Sequence, residues 1–140
     1  MNGFLLDTNV LSELVRPKPE PKVENWLSAT DEQLLHISVL TLGEIRKGIA
    51  TLAQNKRRSE LESWLEVGLK ARFAERLLMI DAETADRWGF LAARARSQGV
   101  ALAVIDGLLA ATAQQHNLTI VTRNTADFAV GEAQLLNPWE

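Results

Sequence analysis

Gly3-Phe4-Leu5-Leu6-Asp7-Thr8-Asn9-Val10-Leu11-Ser12-Glu13 packs a strand, an acid and the start of a helix into eleven residues. The apolar run ending at Asp7 has the length of a short buried strand. Thr8 or Asn9 can cap a helix from Val10 to Val15, which Arg16-Pro17 stops. The same strand, acid and helix order recurs further along. Leu35 to Val39 reads as a second strand. Thr41-Leu42-Gly43-Glu44 then has the form of a capping box, predicting a helix to about Asn55 with Leu42, Ile45, Ile49 and Leu52 inward. Val104-Ile105 precedes Asp106 in the Ala-rich stretch Ala101 to His116, which reads as a helix packed tightly in the core. Thr119 to Thr122 reads as a strand, and Asp127 lies shortly beyond it.

The remaining segments fill in between these units. Pro17, Pro19 and Pro21 form a stiff turn, and Val23, Trp26 and Leu27 have helical spacing over residues 21 to 29. Residues 57 to 76 predict a long helix with Leu61, Trp64, Leu65, Leu69 and Phe73 on one side. Leu77 to Ile80 is a short strand. Asp81 caps a helix carrying Ala85, Trp88, Leu91, Ala92 and Ala95, closed by Gly99. Leu135-Leu136 is a candidate for a last strand. Strands separated by helices predict an α/β fold of parallel βαβ units, with helices covering the sheet.

Composition bounds the function classes. The 140 residues suit one domain, residues 1 to 140, with a sizeable core. With no cysteine there is neither a disulfide framework nor a thiolate metal site, which fits a reducing cytoplasm. The N-terminus lacks the pattern of a signal peptide, and no apolar run approaches a membrane span. The net charge of −3 argues weakly against a nucleic-acid partner, yet leaving out Asp7, Glu44, Asp106 and Asp127 turns it to +1. Residues 46 to 96 hold eleven of the fifteen Lys and Arg against seven acids. That basic middle fits either a polyanionic substrate or a set of solvated helix faces.

Asp7, Glu44, Asp106 and Asp127 are the candidate site. Each follows, or nearly follows, an apolar run, where an unpaired carboxylate is costly. In an open parallel sheet, ligands bind at the carboxyl ends of the strands near a switch in strand order. Asp7, Glu44 and Asp127 map to that edge directly, and Asp106 does so if its helix begins there. Carboxylate oxygens without His or Cys favour Mg²⁺ or Mn²⁺. Such a site predicts hydrolysis of a phosphodiester or phosphoanhydride. Taken singly, each acid also has a local explanation: Asp7 as an Asx turn or cap, Glu44 in the capping box, Asp106 at a helix N-terminus, Asp127 in a turn. His36, in a strand pattern, and His116, at a helix end, are not expected to be ligands. The absence of a Gly-rich phosphate loop weighs against a nucleotide-dependent enzyme, and Asn9 stands where a phosphatase of the acid-after-strand kind needs a second Asp.

The residues flanking the acids resemble the four motifs of PIN-domain ribonucleases. These are Leu5 to Glu13, Thr41-Leu42-Gly43-Glu44-Ile45, Asp106-Gly-Leu-Leu-Ala-Ala-Thr-Ala, and Val121-Thr122-Arg123-Asn124-Thr125-Ala126-Asp127-Phe128. The likeness covers essentially the whole chain and is nearest the VapC/FitB type of toxin in type II toxin–antitoxin pairs. It implies a three-layer α/β/α architecture with a central parallel sheet of four to five strands. It implies Mg²⁺- or Mn²⁺-dependent cleavage of RNA, with Asp7, Glu44, Asp106 and Asp127 as catalytic metal ligands. Thr122, Arg123 and Asn124 would support substrate or ligand. A homodimer is implied, with a small antitoxin that blocks the site and a larger toxin–antitoxin assembly possible. The alternative is a catalytically silent module that binds RNA or antitoxin. One departure stands out: relatives often carry Pro three residues before the third acid, where this chain has Ala103. Trp26, Trp64 and Trp88 are candidates for core or interface. Trp139 is expected to cover the sheet edge or a neighbouring helix.

Overall fold

Five parallel strands lie in the order β3-β2-β1-β4-β5 in the computed structural model, which describes residues 2–131 and 133–140. β1 (Phe4–Leu6) is central. It pairs on one side with β2 (Leu35–Ser38) and on the other with β4 (Thr119–Val121). β3 (Leu77–Leu78) extends the sheet beyond β2, and β5 (Leu135–Leu136) beyond β4. The chain builds one half outward from β1, then returns to its other side. The strand order therefore reverses between β1 and β4, where parallel sheets open a crevice at their carboxyl ends. The register pairs Leu6 with Val121, so Asp7 and Thr122 emerge side by side into that crevice.

Alternation along each strand divides the core in two. Leu6 and Val121 join a cluster with Val10, Leu11, Val23, Leu27, Ile45, Ile49, Leu65, Leu69 and Phe73. Those residues come from α1 (Thr8–Leu14), α2 (Pro21–Ala29), α3 (Val39–Ala50) and the helical segment that begins with α4 (Lys56–Ser63). Leu5 and Ile120 face the other way, onto Leu91 and the Ala-rich face Leu109, Ala110, Ala111 and Ala113. The two layers of helices on one sheet make the α/β/α sandwich.

Several local expectations shift. α3 begins at Val39 because Ser38, the last strand residue, caps it directly, its Oγ accepting from Leu40 N–H at 3.0 Å. Thr41 therefore sits inside the first turn, fully buried, and the expected Thr41–Glu44 capping box does not form. The single helix expected over residues 57 to 76 is α4, a π-helical segment Trp64–Leu69, and α5 (Lys70–Arg72). Leu61, Leu65, Leu69 and Phe73 recur every four residues. That spacing drifts roughly 40° per step around an ordinary helix; the wider π turn takes up the drift and keeps the stripe facing inward.

On the opposite layer, Asp81 and Thr84 cap α6 (Ala82–Ser97) reciprocally, and Gly99 closes it at φ 68°. α7 (Val104–His116) starts later than Ala101, with Ala103 as its N-cap at φ −61°. That φ is the one a proline would impose. The departure from the family pattern at position 103 thus leaves the helix start in a proline-like conformation. Gly107, one residue past Asp106, lets α6 and α7 approach closely: a Cβ there would lie 2.8 Å from Trp88 Cδ1. Trp26, Trp64 and Trp88 are all partly buried against the two clusters, with Trp26 edge-on to Phe4 at 5.0 Å between ring centroids.

Candidate active site

Asp7 is the most constrained of the four acids. Its Oδ1 accepts from the Thr8 N–H at 2.8 Å and so caps α1, a role expected of Thr8 or Asn9. Its Oδ2 accepts from the Thr122 hydroxyl at 2.8 Å and from Asn9 Nδ2 at 3.4 Å. Thr122 is fully buried, and its hydroxyl is saturated: it also accepts from Asn9 Nδ2 at 3.2 Å and from the Asn124 N–H at 3.0 Å. Asn9 completes the link, its Oδ1 accepting from the Arg123 N–H at 3.3 Å. The loop after β4 is thereby tied to the loop after β1.

Glu44 lies in the second turn of α3, half-buried, and its Oε1 accepts from the Thr8 hydroxyl at 2.7 Å. This contact ties the second motif to the first. Asp106 stands in the first turn of α7, half-buried and, among the described residues, without a hydrogen-bond partner. Asp127 is exposed in a single 3-10 turn, Thr125–Phe128, which the buried Phe128 pins to the second cluster.

Electrostatics link these positions. Burial raises the Asp106 carboxyl from its ordinary 3.8 to about 6, reinforced by the charges of Asp127, Asp7 and Glu44 in that order. Asp7 is also raised, chiefly by burial. Hydrogen bonds from Thr122 and Thr8 oppose that rise, while Glu44 and Asp127 add to it. Asp106 and Asp7 thus feel the charges of acids from separate elements at the crevice. Even so, among the described residues no three acidic or histidine side chains stand close enough to form a ready cage for a metal ion. The donor set itself, carboxylates with hydroxyls behind them, suits a hard cation that prefers oxygen and keeps waters of its own.

The basic middle of the chain resolves into structural contacts. Arg72 and Arg76 both bind Glu32, holding its carboxyl down to about 2, and their guanidiniums lie over the Phe73 ring. Arg46 pairs with Glu62 and Glu66, Arg58 with Glu62, and Arg57 donates to the Val15 carbonyl. Solvated and capped helix faces therefore account for most of these cations. His36 sits on β2 with Nδ1 against the Leu34 carbonyl at 3.0 Å, away from the acids.

Thr8 and Asn9 were expected only as helix caps, yet they also bond the acids. Thr8 and Asn9 adjoin Asp7 within the first motif, which is the signal that could have marked them. Glu13 had none. It is 3% exposed and accepts from Arg16 Nη1 and from the Glu20 N–H at 3.0 Å. Burial pushes its carboxyl up, but those contacts, helped by the Trp139 side chain, outweigh it, and the net direction is down.

Residues 4–131 match the PIN domain. The chain is similar to Toxin FitB of Neisseria gonorrhoeae, 38% identical over 97% of this chain and 98% of the relative. It resembles plasmid stability protein StbB of Pseudomonas syringae pv. tomato at 37%, over 98% and 99%. VapC ribonuclease Y4jK of Sinorhizobium fredii is 35% identical over 98% of both. The crystal structure of FitAcB from Neisseria gonorrhoeae contains a chain that superposes with a TM-score of 0.92 at 37% identity, covering 98% of this chain and 99% of that one. The structure of FitAB bound to an IR36 DNA fragment gives the same TM-score at 36% identity, over 98% and 96%.

Proposed function

The chain belongs to the PIN-domain family, and from that premise we propose that it is the toxin of a toxin–antitoxin pair. Its activity is endonucleolytic hydrolysis of RNA phosphodiester bonds with Mg²⁺ or Mn²⁺. The site is Asp7, Glu44, Asp106 and Asp127. The observation that carries this reading is the approach of those acids from four elements to the switch point of the sheet, where Asp106 feels the charges of the other three. Carboxylates that repel one another at a crevice favour a divalent cation. When bound, the ion supplies Lewis acidity toward phosphate oxygens and a lowered pKa for water.

The side chains divide the work by how firmly each is held. Both Asp7 oxygens are fixed by neighbours, so Asp7 serves as the fixed anchor. Glu44 has one oxygen tied to Thr8 and presents the other. Asp106 is unencumbered, and its raised proton affinity suits it to accept the proton of the attacking water at a carboxylate oxygen. Thr122 and Asn9 orient the anchor, and Asn124 contributes through its backbone N–H to Thr122.

An antitoxin partner has a place beside this centre. A groove of about 400 Å³ between α1, α3 and α4 is lined by Ile45, Ile49, Leu61 and Trp64 and ends at Thr8 and Glu44. An apolar segment lying there would reach the acids and block them. The FitAcB and FitAB relatives support such a partner. Phe90 and Val104, 74% and 58% exposed on α6 and α7, support a homodimer. We place the protein in the cytoplasm on the strength of the RNA substrate.

Purified protein incubated with RNA and Mg²⁺ tests the reading. Cleavage is expected, with loss of it in EDTA and in Asp7→Asn and Asp106→Asn. Unchanged cleavage in both variants would sink the mechanism. The spacing of the acids, too open for a ready cage, favours one other reading, a catalytically silent module. Tight RNA binding with no cleavage under any divalent ion would select it.

A further inference from the structure

Arg123 presents a puzzle that the site alone does not answer. Its backbone N–H bonds Asn9, and Asn9 bonds Asp7, so this residue sits two hydrogen bonds from the acid cluster. A guanidinium carried on a backbone tied to that cluster has carboxylates to pair with. Instead its Cζ lies over the Trp139 ring, 5.4 Å from the centroid. Among the described residues it pairs with no acid, whereas Arg46, Arg58, Arg72, Arg76 and Arg87 all do.

Trp139 is built as a fixed platform. Its indole packs against the first core cluster, beside the buried Glu13 carboxylate whose proton affinity it helps lower and which is itself anchored by Arg16 and the Glu20 N–H. Its backbone N–H donates to Asn137 Oδ1 at 2.9 Å, and Asn137 Nδ2 donates to the Arg123 carbonyl at 3.3 Å. One short C-terminal segment therefore holds both the backbone of Arg123 and the surface on which its side chain rests. Stacking on a ring face leaves the guanidinium edges, with their donors, pointing outward.

We propose that Trp139 positions Arg123 at the rim of the acid site to bind a backbone phosphate of the RNA strand flanking the cleaved bond. This rests on the ribonuclease reading above. A cluster of carboxylates repels a polyanion, and a cation held apart from them by an aromatic platform offsets that repulsion without neutralising the site. A phosphate contact carries no base information, so it acts alike on every sequence.

Steady-state cleavage of several single-stranded RNAs by the full chain in Mg²⁺, across a range of KCl, tests this. Arg123→Gln is expected to raise KM about tenfold for every RNA with kcat within about twofold. It should also shrink the slope of log(1/KM) against log[salt] by about 0.7 to 1. Trp139→Ala should follow it, and Trp139→Phe, which keeps a ring face, should recover most of the loss. Melting curves identify any variant that is misfolded; Arg123, being exposed, gives a readout free of that complication. Unchanged KM and salt slope in Arg123→Gln, while the unaltered protein cleaves RNA, overturns the inference and leaves the ribonuclease reading standing. Loss of kcat in Trp139→Ala beside a silent Arg123→Gln overturns it too, reducing Trp139 to a structural prop. Failure of the unaltered protein to bind or cut RNA overturns both.

Discussion

Replacing Asp106 by Asn should stabilise the protein in EDTA at neutral pH while destroying its proposed activity. The carboxyl rises from 3.8 to about 6 on folding. A raised carboxyl contributes stability that is fully present below its unfolded pKa and is lost as pH climbs through the folded one. Above about pH 6.5 the folded protein therefore carries the whole penalty of holding an anion beside Asp127, Asp7 and Glu44. At about 1.4 kcal/mol per tenfold change in protonation, the ceiling is about 3 kcal/mol. Asp106 is only half-buried, so water and salt screen much of that, and about 1 kcal/mol is the better figure. For a chain of this length that is a rise in Tm of about 3 °C. Urea or thermal melts of both proteins in EDTA at pH 4 and pH 7.5 provide the assay. The advantage of Asp106→Asn should be near zero at pH 4 and develop between pH 4 and 6. Saturating Mg²⁺ should reverse it, since only the parent gains by binding. An offset equal at both pH values, or a variant less stable at pH 7.5, would refute the electrostatic coupling on which the site rests.

Three further outcomes follow from backbone and packing. Gly89→Ala in α6 meets no atom within 4 Å and should stabilise by about 0.5 to 1 kcal/mol, whereas Gly107→Ala should destabilise by about 1 to 2, because its Cβ would strike the rigid Trp88 ring; paired urea melts read both signs. Ala103→Pro, at φ −61°, should raise stability by about 0.5 to 1 kcal/mol with cleavage unchanged; a lowered Tm would refute the proline-like reading of that N-cap.

Local patterns carried most of the architecture. The runs before Asp7 and before Asp127 announced strands because buried parallel strands are short and apolar. Asp81 and Gly99 announced the ends of α6 because capping chemistry is set within a few residues. The misreadings share a cause. Thr41 and Glu44 have capping-box spacing, but Ser38 ends the strand three residues earlier and takes the cap, so α3 starts before the motif. The stripe Leu61 to Phe73 looked like one regular helix because periodicity does not distinguish an α turn from a π turn at four-residue spacing. The basic middle, residues 46 to 96, stayed open between a polyanionic substrate and solvated helix faces because sequence does not reveal where Glu32, Glu62 and Glu66 lie.

The sequence by itself determined the α/β class, the order of strands and helices, and the position of four acids just beyond apolar runs. Each of those follows from interactions between residues close along the chain. The tertiary structure alone decided which side chains hold the site. Thr122 reaches Asp7 across 115 positions, and Thr8 reaches Glu44 across 36. Those choices depend on the strand order β3-β2-β1-β4-β5, which brings the carboxyl ends of β1 and β4 together. A hydrogen bond has a reach of about 3 Å in space and none along the chain. Its partners become legible only once the sheet has been assembled.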